Sequence, residues 1–137
     1  MATGAIAHGV LVAELLDIPF VYVRASSKKH GLTNMIEGVL EPNQTVVVIE
    51  DLVSTGGSSL KAVEALRNAG CKVKGMAAIF SYGFTEAEKN FEENKVTLIT
   101  LTDYESLMKK ALEINFITEK DIPSLNEWRK NPQKWGE

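Results

Sequence analysis

Apolar and polar positions follow two rhythms along this chain. Residues 4–17 (GAIAHGVLVAELLD) predict a helix that stops before Pro19. Phe20–Arg24 (FVYVR), β-branched and aromatic, predicts a short strand. Residues 25–37 are polar, contain Gly31 and Asn34, and have no period. They predict a loop, long enough for a compact domain that it is expected to be either functional or mobile. Thr45–Glu50 (TVVVIE) is a continuous apolar run, as in a strand covered on both faces. A Gly-rich turn follows at Ser54–Ser58, then a helix over 58–69 with Leu60, Val63 and Leu66 on one face and Gly70 as its stop. Lys72–Phe80 and Val96–Leu101 predict two more strands. Helices are predicted over Thr85–Glu93, with Thr85 as cap and Glu88 three residues on, over Tyr104–Asn115, and over Asp121–Lys130. Strands separated by helices imply βαβ crossovers, so the expected fold class is α/β with a mostly parallel sheet flanked by helices. Ligands of such sheets bind beyond the carboxyl ends of strands.

Composition narrows the class. With 137 residues, one domain is expected. Hydrophobic residues make up 45%, enough to build a core. Net charge is −3, with no basic excess to point to nucleic acid or an anionic membrane. The single cysteine excludes a disulfide framework within the chain, and with only two histidines a structural zinc site is not expected. No apolar run approaches the roughly 18 residues of a membrane helix. The start of the chain lacks a basic n-region and reads as a domain helix rather than a signal peptide, so a soluble cytoplasmic protein is expected.

The densest chemistry lies in Val46–Ser58, V-V-V-I-E-D-L-V-S-T-G-G-S. A buried strand delivers Glu50 and Asp51 together at its carboxyl end. Leu52 and Val53 anchor the turn, and Ser54, Thr55, Gly56, Gly57 and Ser58 lead into a helix N-terminus. Free backbone N–H groups and the helix dipole make such a terminus a phosphate site. The glycines permit close approach and the hydroxyls can donate. Facing phosphate, two carboxylates would repel it. They suit sugar hydroxyls, or a metal held through water. The matching ligand is a ribose 5-phosphate. A bare T-G-G-S more often serves only a turn, and no Walker-type Gly-Lys follows. The full thirteen-residue string is what carries the reading.

That string resembles the phosphoribosyl-pyrophosphate (PRPP) signature of type I phosphoribosyltransferases. The resemblance implies that Glu50 and Asp51 bind the ribose hydroxyls and that the turn binds the 5-phosphate. The loop motif Y-V-R-x-x-x-K-x-H-G, Tyr22 to Gly31, resembles the catalytic loop of the orotate phosphoribosyltransferases within that family. By that resemblance Lys28 is the catalytic lysine, His30 a pyrophosphate contact and acid/base group, and Arg24 a pyrophosphate ligand at the loop's base. In many members a second lysine follows the arginine directly. Ala25 stands there in this chain, with Lys29 as a possible substitute. Ala2-Thr3-Gly4-Ala5 resembles the family's pyrophosphate loop, although a plain N-cap by Thr3 would explain those four residues as well.

The resemblance runs from Ala2 to the tail E-W-R-K-N-P at Glu127–Pro132. It implies transfer of ribose 5-phosphate from PRPP to orotate, giving orotidine 5-monophosphate and pyrophosphate. Ser54 would touch orotate. Magnesium would be held through PRPP rather than by direct protein ligands. A homodimer is implied, with loop 25–37 reaching into the partner's site. Family members carry several tens of residues ahead of the pyrophosphate loop, supplying the first core strand, much of the hood over the base, and side chains that grip orotate. The domain over 1–137 is therefore expected to be N-terminally truncated. Some members also hold orotate with an arginine after the strand matching Met76–Phe80, where this chain has Ser81-Tyr82-Gly83. Two alternatives stand beside this reading: a type I phosphoribosyltransferase for a purine or other base, and a non-catalytic PRPP-binding regulatory domain.

Overall fold

A computed structural model describes residues 3–25, 35–132 and 135. Three long strands, β3 (Thr45–Val53), β4 (Lys72–Ser81) and β5 (Leu98–Asp103), form a parallel sheet in the order β3-β4-β5. The crossovers are α2 (Gly57–Asn68) and α3 (Thr85–Glu93). Helix α1 (Ala5–Leu16) precedes the short strand β1 (Tyr22–Val23), which pairs antiparallel with β2 (Ile36–Glu37). Helices α4 (Tyr104–Glu113) and α5 (Ile122–Lys130) close the described chain. The α/β class and parallel sheet expected from the sequence are what the fold contains.

The core lies between the sheet and α2 with α3. Val48, Met76 and Ala78 on the strands meet Leu60, Val63, Leu66, Ala87 and Phe91 on the helices. The register shifts between Val46 and Val47, where Val46 pairs with Val73 but Val47 with Gly75. Gly75 suits this place because a Cβ there would lie 2.9 Å from the Thr97 carbonyl oxygen.

Several boundaries differ from the sequence reading, each for a physical reason. β3 runs three residues past Glu50, because Leu52 and Val53 pair with Phe80 and Ser81 of β4. Leu52 and Val53 are thus strand residues rather than part of the turn, and Ser58 already lies in α2. Ile36–Glu37, read as loop, is a strand too short to show a period. β5 starts at Leu98 because Lys95 takes a positive φ of 53° and the Val96 N–H closes onto the Phe91 carbonyl. Thr85 does not cap α3. Phe84 occupies that position, and its backbone carbonyl accepts from Ala87 and Glu88. Nor is Thr3 a side-chain cap: Gly4 is the N-cap of α1, with no side-chain cap bond.

Between β1 and β3 lies a cavity of about 500 Å³. Val21–Val23 and Val46–Ile49 line two sides, α1 a third through Ile6, Gly9 and Val12, and Ala62 and Leu66 of α2 a fourth. Beyond the carboxyl end of β4, Tyr82 stacks on Phe84 (centroids 5.3 Å apart) and meets Trp128 edge-on at 5.5 Å. These contacts fasten α5 to the carboxyl end of β4, with Tyr104 completing the cluster. Burial there pushes the Tyr104 phenol up from its usual value.

Candidate active site at the carboxyl end of β3

Strand alternation separates the two adjacent acids. Glu50 points into the α2 side. It is only 3% exposed and accepts a hydrogen bond of 2.8 Å from Ser59 Oγ, itself 1% exposed. Ser59 sits in the first turn of α2, where the helix dipole favours a nearby carboxylate. Asp51 points the other way, half-buried, with its carboxylate packed directly against the Cα of Gly4 at the start of α1. A methyl group on Gly4 would overlap that carboxylate, so the glycine makes the contact possible. The acids therefore do not emerge side by side, as the sequence had suggested. One lies beneath the α2 terminus and the other beside the α1 terminus.

The turn that follows holds Ser54 exposed, Thr55 half-buried and Gly56 buried. Gly56 has φ +81°, a conformation open to glycine. A Cβ on it would also fall 2.6 Å from Phe91 Cε2 of α3. Gly56 is the N-cap of α2, and its carbonyl accepts the helix's first bond, from Leu60 N at 2.9 Å. The N–H groups of Gly57, Ser58 and Ser59 thus precede any intrahelical acceptor, as at every helix start. No carboxylate occupies the first turn of α2. On the other side, the Thr55 carbonyl accepts from Asn90 Nδ2 at 2.9 Å.

Arg24 stands at the mouth of segment 26–34. Its backbone N–H donates to the Met35 carbonyl at 2.8 Å, and its guanidinium pairs with Glu37 at 3.3 Å. Lys28, Lys29 and His30 lie outside the described residues, as does Ala2. Thr3 and Gly4 are exposed and Ala5 is buried at the start of α1. Val53 is fully buried and its carbonyl accepts from Tyr82 N, so it supports the turn from below. Where the sequence has Ser81-Tyr82-Gly83, an arginine arrives from elsewhere in the chain. Arg129 of α5 donates to the Tyr82 carbonyl at 3.2 Å and to that of Gly83 at 3.4 Å, with its guanidinium 5.2 Å from the Tyr104 ring centroid. Sequence reasoning did not single out Ser59, Asn90, Phe91 or Arg129. Asn90 did carry a signal, as the polar residue on the inner face of the helix TEAEKNFEE, whose glutamates lie outward.

Two helix N-termini and a strand-end carboxylate thus lie at one corner of a parallel α/β sheet, an arrangement chemically suited to a phosphorylated, hydroxyl-bearing ligand. The sequence profile described as phosphoribosyl transferase domain matches residues 1–108. The chain belongs to that family. It is 59% identical over 136 residues to an orotate phosphoribosyltransferase of Porphyromonas gingivalis, covering 99% of this chain and 65% of the relative. It is 54% identical over 135 residues to an orotate phosphoribosyltransferase of Listeria monocytogenes, covering 98% and 65%. The crystal structure of orotate phosphoribosyltransferase from Aeropyrum pernix superposes with a TM-score of 0.72 at 30% identity, over 80% of this chain and 61% of that one. The chain spans 65%, 65% and 61% of the length of these three proteins, less than two-thirds of each.

Proposed function

We propose that this chain carries the PRPP site of an orotate phosphoribosyltransferase, a pentosyltransferase of pyrimidine biosynthesis leading to UMP. The observation that carries the reading is the corner just described, where β3 delivers Asp51 and leads through Gly56 into the N-terminus of α2. Relatives at 59% and 54% identity bear the same name. In the proposed complex, Ser54, Thr55, Gly56, Gly57 and Ser58 receive the 5-phosphate. Asp51 accepts from a ribose hydroxyl. Glu50, held by Ser59, is the second sugar acid, and Leu52 and Val53 hold the turn in place. The α1 start, Ala2 to Ala5, and Arg24 receive the diphosphate. Lys28, Lys29 and His30 act on the same group.

In the reaction, the C1–O bond to pyrophosphate breaks as a ring nitrogen of orotate bonds to C1 and gives up its proton, which the departing pyrophosphate takes up. The electron pair of the broken bond leaves with pyrophosphate. Cations near the leaving oxygen stabilise this charge, and exclusion of water prevents hydrolysis of the sugar. Ser54, at the mouth of the turn, is the proposed orotate contact. Magnesium fits this site through the substrate. A hard cation with few protein ligands is carried mainly by phosphates and water, with Asp51 available to its water shell. Bound there, it would neutralise the departing diphosphate.

The extent of the domain belongs to the same proposal: 1–137 is the core of a longer domain, with a further strand and a hood over the base. The cavity between β1 and β3 supports this, and so does the greater length of the relatives. The apolar outer surface of α1, with Leu11, Leu15 and Leu16 exposed, supports a covering partner, as a homodimer would provide. Among the described residues no helix is long and apolar enough to cross a membrane, and a cytoplasmic location is part of the proposal.

The test is a spectrophotometric assay of orotate consumption with PRPP and magnesium. It should use this chain and a version extended to the relatives' length. The extended protein is expected to turn over orotate, and the 137-residue chain little or none. Consumption of a purine base with orotate untouched would overturn the choice of substrate.

A further inference from the structure

Helix α3 reaches the phosphate turn through two neighbouring side chains. Asn90 Nδ2 donates to the Thr55 carbonyl at 2.9 Å, and the Phe91 ring fills the space a side chain on Gly56 would need. Both contacts fall on the Thr55–Gly56 stretch, which leads directly into α2. In a trans peptide the C=O and the following N–H point to opposite sides. By turning the Thr55 carbonyl toward α3, Asn90 turns the Gly56 N–H away from it. Phe91 admits only a glycine there, and Gly56 keeps the left-handed φ that lets the chain enter α2. The helix is itself anchored. Asn94 Nδ2 donates to the Asn90 carbonyl at 2.8 Å, and Arg67 of α2 donates to the Asn94 carbonyl at 2.8 Å. The glutamates of α3 lie on its outer side, so the face turned to the phosphate turn brings no negative charge.

We propose that Asn90, backed by Phe91, is a positioning residue for phosphate recognition: it orients the Thr55–Gly56 peptide so that the Gly56 N–H joins those of Gly57 and Ser58 around the 5-phosphate. This rests on the proposed phosphate site and extends it to a helix outside that motif. Asn90 touches no substrate. It acts through the backbone of the turn.

The test compares Asn90→Leu, similar in size but without a donor, with Asn90→Asp, isosteric but with a carboxylate facing the Thr55 carbonyl. Ribose 5-phosphate and inorganic phosphate are titrated into the ¹⁵N-labelled chain, following the Gly56, Gly57 and Ser58 amides. Melting temperatures are measured alongside. Loss of one hydrogen bond should weaken ribose 5-phosphate binding about 3- to 10-fold in Asn90→Leu, and more in Asn90→Asp. The free-state Gly56 amide resonance should move in both variants, while melting temperature changes little. In the extended protein, KM for PRPP should rise and KM for orotate stay level. Unchanged affinity in Asn90→Leu, with phosphate still shifting the turn amides, would overturn the positioning role and leave the phosphate site standing. So would an equal loss for both substrates alongside a large fall in melting temperature. If neither phosphate ligand moves the turn amides in the unaltered chain, the phosphate site itself falls, and this role with it.

Discussion

Helices α1 and α2 have twelve residues each and lie on opposite sides of β3, yet they are buried very differently. α2 buries Ser59, Leu60, Ala62, Val63, Ala65 and Leu66. α1 has the more apolar sequence but buries only Ala5, Gly9 and Ala13, leaving Leu15 84% exposed. In α2 the large apolar residues fall on one stripe and polar ones on the other, so a single sheet face satisfies it. In α1 they run all round, so the sheet can cover only its small residues. Apolar content says that a helix needs cover; its distribution says whether the neighbours at hand can supply it. The same division separates the acids, Glu50 locked under α2 and Asp51 half-open beside α1.

The largest effect expected from this contrast is on the α2 side. Leu66→Ala should cost about 2–5 kcal/mol in urea denaturation, whereas Leu15→Ser in the dilute chain should stay within about 0.5 kcal/mol. A comparable loss from Leu15→Ser would show that the outer face of α1 is covered in solution.

Gly56→Ala puts a methyl group against Phe91 in a backbone conformation that alanine disfavours. Together these should cost about 2–4 kcal/mol. Adding Phe91→Leu should recover part of the loss in melting temperature by relieving the overlap. If it recovers none, backbone strain alone accounts for the effect.

The acids should part company when each is replaced. Asp51→Asn should weaken PRPP binding by about 1–3 kcal/mol, the range for a hydrogen bond to a charged group, with little change in melting temperature. Glu50→Ala should lower the melting temperature as well as PRPP affinity, because it also leaves Ser59 Oγ buried without its acceptor. Calorimetry showing the opposite pattern would reverse the roles assigned here.

The smallest effects are expected at the starts of α4 and α5. The Ser106 backbone N–H, then its side chain, hold the Asp103 carboxyl below its usual value. The Thr118 backbone N–H and hydroxyl do the same for Asp121. A pKa lower in the folded state means that the stabilisation is present above the unfolded value, near 3.9 for aspartate, and is lost as pH falls through the folded value. Both contributions should be constant at neutral pH and fade below about pH 4. Both groups are fully exposed, so water screens them and the effect is small. The Ser106 and Thr118 amide shifts should titrate in that acid range, and Asp103→Asn should abolish the titration at Ser106. A midpoint at or above the usual aspartate value would contradict the direction.

How much of this was legible beforehand depends on whether the cause is local. The run TVVVIE announces a strand because β-branched residues suit a doubly covered sheet. The sequence STGGS announces a helix entry because only glycine freely takes the left-handed turn at Gly56. The parallel pairing of the long strands and the glycine turn beyond β3 followed from such signals, since helices between strands imply βαβ crossovers. What remained hidden depended on partners distant in sequence. Leu52 and Val53 read as turn until Phe80 and Ser81 pair with them. Ile36–Glu37 read as loop because two residues cannot show alternation. Asn90 looked like one polar residue in an acidic helix. Its value comes from the Thr55 carbonyl, 35 positions away. Arg129 likewise meets Tyr82 and Gly83 only because an aromatic cluster folds α5 back onto β4. Local backbone preference and hydrophobic period were enough to mark the long strands, the helices and the glycine turn beyond β3. Which side chains hold that turn was decided by tertiary packing, because a hydrogen bond needs its donor brought within about 3 Å of its acceptor, and no spacing along the chain encodes that approach.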